Sequence, residues 1–93
     1  MYAVAFDLNS ARLKKEYPHK GWQNAYLTIR RKMRQQGFAW KQGTLYFAPK
    51  EMDAVKCVLA VQELSQEMPW LKKCVDDMRL LNITEENDLS VAL

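Results

Sequence analysis

The apolar run Tyr2-Ala3-Val4-Ala5-Phe6 ends abruptly in a carboxylate at Asp7. A strand beginning at the second residue must find partners supplied by later chain, so it constrains the whole fold. The carboxylate at its tip constrains the chemistry. A buried charge needs a partner or must neutralise, whereas an exposed one can hold a metal, polarise a water or face a substrate.

The rest of the chain supplies the partners. The strand spans about Tyr2 to Leu8, and Asn9 and Ser10 end it through local side-chain to backbone bonding. Residues 11–21 read as a basic connector, broken by Pro18 and Gly21. A helix follows from about Trp22 to Gln36, with Trp22, Ala25, Tyr26, Ile29 and Met33 as its apolar face. Gly37 is placed as its C-terminal cap.

Phe38-Ala39-Trp40-Lys41 and Thr44-Leu45-Tyr46-Phe47 read as strands joined by a Gln42-Gly43 turn. Pro49 suits the first turn of a second helix over about Lys50 to Gln66, with Val55, Val58, Leu59, Val61 and Leu64 inward. Pro69 and Trp70 lead into a short turn or helix ending near Lys73. A last strand covers about Val75 to Ile83. Residues 84–93 are acidic and then apolar, suited to an extra strand or helix docked on a partner subunit.

Strand, helix, strand, strand, helix, strand is the order of a ferredoxin-like α+β fold. It predicts one domain over residues 1–93, with a four-stranded antiparallel sheet in the order 4-1-3-2, two helices on one face, and a C-terminal extension. At 93 residues the core is small, and dimerisation would bury more apolar surface. No signal peptide and no membrane span are expected. Cys57 and Cys74 have no metal-binding spacing and read as reduced thiols of a cytoplasmic protein. With one His and no four-ligand set, zinc is not expected.

Charge is unevenly divided. Residues 1–50 carry ten Lys/Arg against Asp7 and Glu16, a net of +8, while residues 51–93 carry four against nine, a net of −5. A basic half suits a polyanion such as nucleic acid, although a solvated helix face reads the same way. Arg30, Arg31 and Arg34 crowd the end of the first helix.

Alternation along strands predicts a site. Val4, Phe6 and Leu8 face the helices, which leaves Asp7 on the open face beside Ala3 and Ala5. By bulk, Leu45, Phe47, Met78 and Leu80 are assigned to the helix side, and Thr44, Tyr46, Asp77 and Arg79 to the open side. Antiparallel pairing would bring Asp7, Thr44 and Asp77 to one edge, with Tyr46 and Arg79 deeper. Two carboxylates can bind a divalent cation such as Mg²⁺, with Asp7 as the metal ligand, or share a proton. A Thr hydroxyl can bind a phosphate or water, and an Arg can grip a phosphate. These are parts that phosphodiester cleavage needs. Each residue also has a plain structural reading: Asp7 as a cap, Asp77 and Arg79 as a surface pair, Thr44 as a strand former, Tyr46 as interface packing. His19 reads as solvated, and Trp22, Trp40 and Trp70 as core or interface rather than as base-stacking platforms.

Met1 to Leu8, Asn24-Ala25-Tyr26, Gly37-Phe38, Gln42 to Tyr46, and Val75, Asp77 and Arg79 together resemble the virulence-associated protein D (VapD) family, in order across about residues 1 to 83. The resemblance implies a ferredoxin-like homodimeric endoribonuclease cleaving single-stranded RNA, often the toxin of a toxin–antitoxin pair with a small antitoxin partner. Carried over by position, Asp7 is the central catalytic residue, Thr44 keeps a hydroxyl where the family often has Ser, and Asp77 matches directly. Arg79, Tyr46, Arg30, Arg31 and Arg34 are the expected RNA-binding residues. Asp76 departs from a commonly basic position, Met78 replaces the usual Ile, and the tail lacks the aromatics typical there. The rival readings are a nucleic-acid-binding dimer that does not cut and a protein-interaction module of the same fold.

Overall fold

The computed structural model describes all 93 residues. Strand β1 (Tyr2–Leu8) is followed by helices α1 (Ser10–Glu16) and α2 (Asn24–Gln35), and by the hairpin of β2 (Ala39–Gln42) and β3 (Leu45–Phe47). Helices α3 (Ala54–Glu67) and α4 (Leu71–Cys74), strand β4 (Val75–Asn82) and a 3₁₀ turn (Leu89–Ala92) complete the chain. The sheet order is β2-β3-β1-β4, with every pairing antiparallel, as the ferredoxin-like order predicts.

The expected helix over 22–36 forms as α2, burying Ala25, Ile29 and Met33. Gly37 stops it at φ +97°, a left-handed conformation that favours glycine. Gly43 turns the hairpin at φ +47°.

Three local expectations are corrected. The connector at 11–21 contains α1. Asn9 caps it by accepting the Arg12 N–H at 3.0 Å, and the helix ends at Tyr17, where the following Pro18 disfavours helical backbone. Leu13 anchors it, fully buried with Ala25 and Cys74. Ala11 and Leu13, two apart in an otherwise polar run, show no helical periodicity, so the helix is hidden from the sequence pattern. Second, α3 begins at Ala54 rather than near Pro49, because Asp53 caps it through the Lys56 N–H at 2.8 Å. Its inward face is Cys57, Ala60 and Leu64, while Val55, Val58 and Leu59 are exposed. Apolar residues occupy both faces of this helix, so hydropathy alone could not choose between them.

The third correction concerns β3. Val4 pairs with Tyr46, and Ala5 with Leu45. Opposed residues share a face, so Tyr46 lies with Val4 and Phe6 on the helix side. It is 2% exposed, and its ring stacks on Phe6 at 5.9 Å. Burial raises its phenol pKa, against the opposing effect of the nearby Arg30 cation. Leu45 and Phe47 take the open face instead. Met78 and Leu80 pair with Phe6 and Val4 on the helix side, as expected.

Both thiols are free and buried, and burial pushes their pKa values up. After β4 the chain reaches back over the open face, where Glu86 approaches Lys41 of β2 at 4.0 Å. Lys41 in turn lies 4.8 Å from the Phe47 ring. No helix is long and apolar enough to cross a membrane.

Leu13→Ala is expected to lower unfolding free energy by about 2–5 kcal/mol, the cost of a cavity in a fully buried site. Urea denaturation measures it. A loss within about 0.5 kcal/mol would contradict α1 as a docked element.

Candidate active site

The end of β1 carries the site. Asp7 is paired directly with Asp77 of β4, on the open face. Like charges placed opposite one another in a sheet are destabilising, so packing does not explain the pair. The register slips at this point: Asp7 pairs with Asp77 but Leu8 pairs with Val75. Asp76 is therefore the extra residue of a β-bulge, a feature that re-aims side chains and is common beside active sites. Its carboxylate turns to Arg12, with Asn9 Nδ2 at 3.4 Å. The acidic residue at this departure from the family pattern is thus neutralised locally.

Thr44 is fixed to β1 by two hydrogen bonds. Its hydroxyl donates to the Phe6 carbonyl, and its own carbonyl accepts the Phe6 N–H at 3.3 Å. With its proton committed, the hydroxyl presents lone pairs outward and can accept from a water. Asp77 receives the Arg79 Nε–H at 3.1 and 3.2 Å on its two oxygens. The same bond raises the Arg79 pKa. Asp7 is exposed and makes no side-chain hydrogen bond or ion pair within the chain. It is the one carboxylate of this cluster without a partner within the chain.

Asp7, Thr44 and Asp77 line one cleft of about 370 Å³ together with Ala5, Phe6, Gln42, Gly43 and Leu45. The expected convergence of the three residues is what the structure shows. Arg79 stands beside the cleft through Asp77. Tyr46 does not reach it, being buried on the other face. Arg30, Arg31 and Arg34 lie on α2, on the helix side, away from the cleft. Gln42 and Gly43 line the cleft from the hairpin turn that leads into Thr44.

For a divalent cation, Asp7 and Asp77 are the anionic donors, and Mg²⁺ commonly uses one or two carboxylates and keeps several waters. No set of three His, Cys, Asp or Glu side chains converges anywhere in the chain. The donors fit such an ion held mainly by water, at the expense of the Asp77–Arg79 bond.

Comparison with known proteins gives a consistent result. The chain is 44% identical over 93 residues to "Endoribonuclease VapD 2" of Riemerella anatipestifer, covering all of this chain and 99% of that protein. It is 42% identical over 93 residues to "Endoribonuclease VapD homolog" of Helicobacter pylori, covering all of this chain and 96% of that protein. Against "Endoribonuclease VapD" of Dichelobacter nodosus it is 36% identical over 92 residues, 97% of this chain and 94% of that protein. No family model matches.

Thr44→Val removes the hydroxyl donor and should lower stability by about 1 kcal/mol, with Thr44→Ser restoring most of it; equal stability of Val and Ser variants in urea denaturation would contradict the bond to Phe6. At 44% and 42% identity over its full length to such proteins, the chain belongs to the VapD family.

Proposed function

We propose that this protein is an endoribonuclease that cleaves single-stranded RNA at the Asp7 cleft. The observation that carries the reading is the unpaired Asp7 carboxylate set against the Asp77–Arg79 pair at the bulged end of β4. The names of its relatives support RNA as the substrate class.

The hydrogen bonds distribute the roles. Asp7, with no partner, acts as the proton acceptor for the attacking oxygen. Asp77 accepts the Arg79 Nε–H and orients the guanidinium. Arg79 supplies positive charge to the phosphate and can grip it bidentately once it exchanges partners. Thr44 orients a water by accepting its hydrogen. A divalent cation bound by Asp7 and Asp77 would add charge stabilisation at the same place. The unequal charge of the chain halves adds long-range attraction for the RNA backbone.

The working unit is a homodimer. Strand β4 is an edge strand with an unpaired backbone side, and exposed Val58 and Leu59 of α3 lie with Leu80 and Leu81 of β4 among the large apolar residues left open to solvent. An edge and an apolar face of one small chain are what a second copy could cover. Family membership supports a place as the toxin of a pair with a small antitoxin protein, and the two buried free thiols suit the reducing cytoplasm.

Cleavage of a labelled single-stranded RNA by wild type and Asp7→Asn, with and without EDTA, tests the activity. Asp7→Asn should lose at least about 100-fold in rate, and EDTA reports the metal's part. Equal rates for the two proteins would sink Asp7 as the catalytic group. Salt-dependent binding without cleavage by wild type would favour the binding-module reading instead. For the dimer, Val58→Glu should shift wild-type dimer to monomer in light scattering after gel filtration; a monomeric wild type would refute the assembly.

A further inference from the structure

The end of α2 and the strand β2 build a second concave site outside the Asp7 cleft. Arg30, Arg34, Phe38, Ala39 and Trp40 line a hollow of about 410 Å³. The Arg30 guanidinium sits 3.7 Å from the centroid of the Trp40 ring, a stacked cation–π contact. Trp40 is 44% exposed, so it is neither core nor fully covered. Its indole N–H donates to the Gly43 carbonyl at 3.0 Å, which fixes the ring against the hairpin turn.

The charge distribution around the hollow indicates an anionic ligand. Arg30 and Arg34 have no carboxylate within ion-pair distance, although Lys32 on the same helix pairs with Glu67 at 3.4 Å. A half-exposed indole capped on one face by Arg30, with Arg34 lining the same hollow, suits a base together with its phosphate.

The site connects to the cleft through the turn. Gly43 holds Trp40 with its carbonyl and also lines the cleft with Asp7. Trp40 pairs with Tyr46 on the helix side while Asp7 is on the open face, so the two hollows lie on opposite faces of the sheet and meet only at this turn.

We infer that Trp40, Arg30 and Arg34 form a nucleotide subsite, in which a base of single-stranded RNA packs on the exposed part of the indole and the adjacent phosphate binds the arginines while a nucleotide farther along the strand occupies the Asp7 cleft. This inference rests on the ribonuclease reading above. It makes the hairpin turn the ridge over which the RNA strand passes, and it gives two arginines of α2 that have no carboxylate partner a defined ligand.

The test uses the Asp7→Asn protein, so that RNA is bound without being cut. Fluorescence anisotropy compares a short labelled RNA with a ribose-phosphate oligomer of equal length lacking bases. The base-bearing strand should bind about tenfold tighter or more, and adding Trp40→Ala should erase that preference while adding Trp40→Phe keeps part of it. Arg34→Gln, on a residue with no partner to lose, should reduce the slope of log affinity against log salt by about 0.7. A preference that survives Trp40→Ala, or no preference at all with RNA bound, overturns the subsite and leaves the ribonuclease reading standing. No RNA binding at low salt overturns both.

Discussion

Two carboxylates face each other where β1 meets β4, and the site depends on how their repulsion is managed. Asp7 and Asp77 are register partners on the exposed face of a sheet, an arrangement that costs stability. Arg79, two residues along on the same face, engages both oxygens of Asp77. That bond leaves one carboxylate compensated and the other free. In the proposed reaction this asymmetry assigns the base to Asp7 and the phosphate contact to Arg79, and it needs no third acidic residue.

The surrounding structure maintains this arrangement. The bulge at Asp76 lets β4 present Asp77 opposite Asp7 while sending the neighbouring carboxylate to Arg12 and Asn9. Asn9 also caps α1, so the helix start, the bulge and the strand end share one junction. On the other side Thr44 is tied to Phe6 through side chain and backbone. Below, Val4, Phe6 and Tyr46 join the residues of α2 and α3 in one core, which fixes the register of β1 against β3.

Much of this was legible from the chain. The alternation of short apolar runs with helical periodicity led to the strand order, and Gly37 and Gly43 fell where turns required them. Asp7, Thr44 and Asp77 converged because antiparallel pairing of three short strands leaves little freedom. Tyr46 was misplaced because β3 has bulky residues on both faces, and only its pairing with Val4 decides between them. The α3 face failed for a related reason: small Cys57 and Ala60 pack inward while the larger Val55 and Leu59 remain exposed. Trp40 was assigned to core or interface, but it stands half open under Arg30, which depends on a tertiary contact between α2 and β2.

The most direct test of the central claim, that Asp7 and Asp77 work as one unit, is a double-mutant cycle in single-turnover RNA cleavage. Groups acting together give grossly non-additive losses. The account predicts that Asp7→Asn with Asp77→Asn is little slower than Asp7→Asn alone. Losses that multiply would show two independent contributions and contradict the paired site.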